Sequence, residues 1–240
     1  VGMAVHACRK TDSGHVNASE IRFIGLQRSG NHAVINWIFL QAMEPRCHLN
    51  CVKPSTNPFH TFQRKSTVKE FQKDFFRNFN IHAEMSGLFK PKHLLMYSYE
   101  DEDLREICSE RFETNHDRWV GRSARRFDIL LMRDPFNLFA SRLKREESGI
   151  PNRYSLRVDS ERAVLCGLWK QYAREFLGET NFLDQCKIPV SYNKWFSDKE
   201  YRRGISDALG LEFSDSGTDE VLHVGGGSSF DRTSFDSRAS

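Results

Sequence analysis

The sequence of 240 residues contains no CxxC pair, so its six cysteines, at 8, 47, 51, 108, 166 and 186, form neither a zinc-ribbon nor a thioredoxin-type redox motif. Cys47, His48 and Cys51 lie close together, but no fourth ligand follows nearby and no metal is expected. Apolar runs of the ~20 residues that cross a bilayer are missing, and the opening VGMAVHAC is too short for a signal-peptide core. The chain therefore reads as soluble, without a membrane segment, and with the cytoplasm slightly favoured as its compartment. A charge excess is lacking too. Lys+Arg 35 against Asp+Glu 32 gives a net +3, far from the basic surplus of a dedicated nucleic-acid binder, so no nucleic-acid partner is expected. A small anion would need only a local cluster of cations. There is no internal repeat.

What is present suits one domain: 39% hydrophobic and 12% aromatic residues over this length supply a single sizeable core. Residues 1–20 are polar and read as a flexible leader, 21–232 as the domain, and 233–240 as a flexible tail, with a truncation there left open. Short apolar runs alternate with helical periodicity. IRFIGL (21–26), HLLMYSY (93–99), FDILLMR (127–133) and KIPVSY (187–192) predict strands. Each is followed by a helical stretch: Val34, Trp37, Ile38 and Gln41 recur at helical spacing after the first, and Leu104, Ile107, Cys108 and Phe112 after the second. Asp134 and Pro135 open the third helix, and Ser197 with Glu200 is expected to form a capping box for the last. A further helix over 161–178 is expected to bury Val164, Leu168, Tyr172 and Phe176. This alternation predicts an α/β fold with a parallel β-sheet flanked by helices. Stretches 44–66 and 148–160 read as long loops facing a substrate.

GLQRSGNH (25–32) joins the first strand to the first helix, where backbone N–H groups and the helix N-terminus suit phosphate. The spacing from Gly25 to Gly30 is that of a P-loop nucleotide-binding fold. Its usual Lys and Ser or Thr are absent, however, and Asn31 and His32 stand there instead. That weakens a Mg-dependent kinase or hydrolase, which stays as an alternative beside a noncatalytic nucleotide-binding module. Arg28 lies inside the loop, where a cation can stabilise charge on the bridging oxygen of a mixed anhydride.

QRSGNHAVINW resembles the 5′-phosphosulfate loop of the sulfotransferases, commonly PKSGTT, with Arg28 at the place of its lysine and Asn31 and His32 at the places of Thr or Ser. FDILLMRDPFNLFASR carries a second resemblance. In that family a buried strand ends in Arg, then Asn or Asp, then Pro, with a Ser eight residues after the Arg, and Arg133, Asp134, Pro135 and Ser141 match. The resemblance implies transfer of a sulfuryl group from 3′-phosphoadenosine-5′-phosphosulfate (PAPS, giving PAP) to an acceptor hydroxyl or amine, without a required metal. It implies that Gly25, Gln27, Arg28, Ser29, Gly30, Asn31 and His32 hold the 5′-phosphosulfate, that Arg133 and Ser141 hold the 3′-phosphate, and that Tyr192 packs on adenine. The stretch VGGGSSFDRTS is similar to a C-terminal loop closing over the 3′-phosphate, which adds Gly226 and Gly227, although the usual RKGxxGxW form is not present.

Transfer also needs a base to take the acceptor proton. Glu100, at the end of HLLMYSY, is the first candidate and His32 its rival. His60 and His82 would need their loops to fold over the site, and His93 begins its strand at the wrong end. The acceptor itself is left open among small molecules, carbohydrates and peptides.

Overall fold

The computed structural model describes residues 14–62 and 78–218. Along them run β1 (Asn17–Gly25), α1 (Asn31–Gln41), β2 (Arg46–Leu49), α2 (Pro58–Thr61), α3 (Ile81–Met85), β3 (Lys92–Glu100), α4 (Leu104–Ile107) and α5 (Glu110–Val120). They continue with β4 (Arg126–Met132), α6 (Pro135–Glu147), α7 (Asp159–Leu177), β5 (Ile188–Ser191), α8 (Tyr192–Ser197) and α9 (Lys199–Leu209). The strands form one sheet, parallel throughout, in the order β2-β3-β1-β4-β5. The α/β architecture is as the alternation predicts.

Strand alternation sends successive side chains to opposite faces, and the sheet carries a core on each. Ile21, Phe23, Met96, Ile129 and Val190 face Val34, Trp37 and Ile38 of α1 and Trp195, Ile205 and Leu209 of α8 and α9. Trp37 meets Trp195 edge-on with ring centroids 5.9 Å apart. On the other face Ile24, Leu95, Tyr97, Tyr99 and Leu130 pack under Leu104, Phe112, Leu138 and Tyr172. Each such large apolar side chain, fully buried, contributes about 1.5–3 kcal/mol. This second face also carries a polar seam. Arg22 forks onto Asp128 at 2.6 and 2.8 Å across paired positions of β1 and β4. Glu20 accepts from Tyr97 Oη at 2.7 Å, pairs with His116 Nε2 at 2.8 Å and is bonded by Ser123.

Several expectations are corrected. β1 begins at Asn17, not Ile21, so the last part of the expected leader is strand: Asn17 is fully buried and its Nδ2 donates to Val120 O at 3.0 Å. The stretch 44–66 is not all loop, because β2 and α2 lie within it. On β2, Cys47 joins one core while His48 turns to Phe39 on the other face. α7 buries Leu165, Leu168 and Tyr172 but exposes Val164, a rotation of the expected face by about one residue. The last helical stretch is two helices, and Asp198, not Ser197, caps the second by accepting from Tyr201 N at 3.0 Å. The expected helix after β3 is likewise divided, into α4 and α5.

Candidate active site

The site lies at the C-terminal edge of the sheet, where order reverses on either side of the central β1. Register brings the strand ends level: Gly25 pairs with both Glu100 and Leu131, and Met132 pairs with Ser191. The loop 26–30, Glu100, Arg133 and Tyr192 therefore emerge side by side. Crevices of this kind, outside the carboxyl ends of parallel strands, are where open α/β sheets bind ligands.

Close approach explains the two loop glycines. A Cβ on Gly25 would sit 2.1 Å from Asn31 Oδ1. Gly30 has φ of 94°, which favours glycine, and a Cβ there would lie 2.1 Å from the Tyr192 ring. Gly30 is also the N-cap of α1, where no side chain caps and the first turn has no acidic residue. The helix end thus keeps its partial positive charge for a ligand. The loop is held from below by Asp101, fully buried with φ of 56°. Its Oδ1 accepts from Gln27 N at 2.9 Å and from Arg142 Nη2, while Arg142 Nε donates to Gln27 O at 3.1 Å. One buried ion pair thereby fixes both backbone polar groups of Gln27.

Cations gather above this clamp. Arg28, itself at φ of 71°, donates from Nε to Ser141 Oγ at 3.1 Å, and Arg133 Nη1 donates to Arg28 O at 3.0 Å. Burial first, then the neighbouring Arg145 and Arg133, lower the Arg28 pKa to about 10, with Glu100 pulling the other way. A shift of that size disfavours the cation by on the order of 3 kcal/mol, a cost that a bound polyanion removes. Arg133 Nε and Arg145 Nε are buried without a hydrogen-bond partner. Buried guanidinium donors left in this state suit acceptor oxygens from a ligand.

Glu100 faces the loop from the end of β3. Its Oε1 accepts from Asn31 Nδ2 at 2.7 Å and its Oε2 from Cys51 Sγ at 3.5 Å. Asn31 Nδ2 also donates to Leu26 O at 3.1 Å, so its side chain turns inward. Arg153, from the stretch 148–160, donates to Glu100 O at 3.2 Å and pairs with Glu102, which ties that stretch to the end of β3.

The structure thus gathers Gly25, Gln27, Arg28, Ser29, Gly30, Asn31, Glu100, Arg133, Ser141 and Tyr192 at one edge. Ser29 is 1% exposed, its N donating to Leu26 O at 3.1 Å. His32 sits in the first turn of α1 with Nε2 buried and unbonded. Burial, and then the proximity of His32, push the His48 pKa down to about 3. Tyr192 stacks with Trp195 and Phe196, at 5.7 and 6.3 Å, and lies 5.1 Å below the Arg133 guanidinium. Its ring is therefore tied to Gly30 and Arg133. His60, His82 and His93 are exposed on α2, α3 and the far end of β3. Gly226 and Gly227 lie outside the described residues. Sequence reasoning missed Asp101, Arg142 and Arg145. The signal for Arg145 was its spacing of four from Ser141 on one helix, which places both on a shared face.

No protein-family model matches the chain, and no curated protein does. Two of the solved structures that it resembles are sulfotransferases. Mouse sulfotransferase SULT7A1 complexed with PAP is 13% identical, with a TM-score of 0.45, over 84% of this chain and 61% of that one. The sulfotransferase domain from the curacin biosynthetic pathway is 13% identical, with a TM-score of 0.45, over 83% of this chain and 76% of that one. The chain thus spans less than two thirds of the mouse protein's length.

Proposed function

We propose that this protein is a sulfotransferase that moves the sulfuryl group of PAPS to an acceptor hydroxyl or amine. The observation that carries the reading is the meeting, at one sheet edge, of a glycine loop with Arg28, Arg133 and Ser141 while Glu100 faces the same loop. The loop backbone and the α1 N-terminus would hold the 5′-phosphosulfate. Arg28 would stabilise charge on the phosphate as the bond from sulfur to its bridging oxygen breaks. Arg133 and Ser141 would hold the 3′-phosphate.

Glu100 would take the acceptor proton as the acceptor oxygen or nitrogen bonds to sulfur. Its two oxygens are already oriented by Asn31 and Cys51, which favours it over His32. Asn31 speaks against a Mg-dependent kinase: its side chain is turned to Leu26 O and Glu100, where a nucleotide hydrolase needs a lysine followed by a metal-binding hydroxyl. No metal is assigned a role. The acceptor would be a small molecule, a carbohydrate or a peptide, approached under the 148–160 stretch.

The test is an acceptor screen with PAPS, read by mass spectrometry as the gain of one sulfate group together with release of PAP. Turnover with PAPS and none with ATP and magnesium is expected. Phosphoryl transfer from ATP would refute the reading, and PAP binding with no transfer to any acceptor class would make the protein a binding module.

A further inference from the structure

The guanidinium groups near the loop are not equivalent. Arg142 is paired with Asp101, and Arg153 with Glu102. Arg145 has no such partner among the described residues. It is half-buried on α6, its Nε is wholly buried without a hydrogen bond, and it makes no ion pair among the described residues. Its acidic neighbour in sequence is committed elsewhere: Glu146 accepts from Asn152 Nδ2 at 2.9 Å, Leu156 N at 3.2 Å and Ser155 Oγ at 3.2 Å. Helical spacing puts Arg145 one turn beyond Ser141, on the same face. That face points into the site, because Ser141 is 3% exposed and accepts from Arg28 Nε. An unmatched, partly desolvated cation is unfavourable in a folded protein unless a ligand supplies the anion.

We infer that Arg145 is a nucleotide-selectivity residue, acting with Ser141 and Arg133 on a second phosphate carried by the donor's ribose. The inference rests on the sulfotransferase reading and extends it to a residue outside both motifs. Two phosphates are needed because the anion places are distinct. One is the loop with the α1 N-terminus, and the other is the adjoining α6 face that carries Ser141 and Arg145. A nucleotide with a single phosphate fills the first and leaves Arg145 unmatched.

The test is calorimetric titration of the intact protein, Arg145→Ala and Arg145→Lys with PAP, ADP and AMP, together with melting curves of each ligand-free protein. Arg145→Ala is expected to weaken PAP roughly ten- to a hundred-fold and to leave AMP unchanged, with Arg145→Lys recovering part of the loss. Its ligand-free melting temperature should equal or exceed that of the intact protein, since an unmatched charge has been removed. Equal losses for PAP and AMP, an equal loss for ADP, or unchanged PAP affinity would overturn the inference. So would a melting temperature several degrees lower, which would give Arg145 a structural partner. Should the intact protein fail to prefer PAP to AMP, the sulfotransferase reading itself falls. A preference kept undiminished in Arg145→Ala removes only the assignment of Arg145.

Discussion

Replacing Asp101 by Asn tests how the phosphate loop is built. Both side chains of the Asp101–Arg142 pair are fully buried, and together they bind the N–H and C=O of Gln27. Asn keeps the shape and an acceptor for Gln27 N but leaves the Arg142 cation in the interior with no counter-charge. Breaking a buried pair in this way costs about 3–5 kcal/mol. The middle of that range is expected, because both side chains are fully buried. A loss of about 4 kcal/mol raises the unfolded-to-folded ratio roughly a thousand-fold and is a large share of the 5–15 kcal/mol that holds a typical domain. Urea denaturation followed by circular dichroism measures it. Asp101→Asn combined with Arg142→Met should be less destabilised than Asp101→Asn alone, since the stranded charge is gone. A loss below about 1 kcal/mol, or a double variant whose costs simply add, would refute the clamp.

Glu100→Gln should lower transfer roughly a hundred-fold or more with PAP affinity near normal, measured by turnover at saturating PAPS; full turnover there, with loss in His32→Ala, would move the base to His32. Gly30→Ala should cost about 2–4 kcal/mol in denaturation, from the left-handed backbone and the displaced Tyr192 ring together, and Tyr192→Ala added to it should return part of the loss. The Glu20–His116 pair sets a pH dependence. Burial raises the Glu20 pKa, but His116, Arg126 and Ser123 outweigh it and hold the carboxyl at about 2 against an ordinary 4.5. Its stabilisation is present above pH 4.5 and is lost as pH falls toward 2. Burial lowers His116, yet Glu20 outweighs that and raises it above 6.5, so its share is present below pH 6.5 and is lost as pH rises through the folded value. Melting curves across pH should show Glu20→Gln flattening the acid limb, and an unchanged limb would contradict the assignment.

The apolar runs and the glycine spacing made the four longer-range elements of the sheet edge legible, because burial on both faces demands continuous apolar strands and a tight loop demands glycine. β2 was hidden because RCHL is only four residues, set among Pro, Asn and Ser, and two of the four are polar. The start of β1 was hidden by Asn17, Ser19 and Glu20, whose polar side chains bond to groups 77 to 106 positions away. Asp101 was missed for the same reason: its partners, Gln27 and Arg142, meet it only in the folded chain. Arg28, Arg133 and Ser141 were legible as motif members, but their mutual contacts were not.

The most direct measurement is calorimetry of PAP against AMP in the intact protein and in Arg133→Ala. The account predicts that PAP binds roughly ten- to a hundred-fold more tightly than AMP, from charge-assisted contacts worth about 1.5–3 kcal/mol, and that Arg133→Ala erases most of the difference. Equal affinity for the two nucleotides in the intact protein would contradict it.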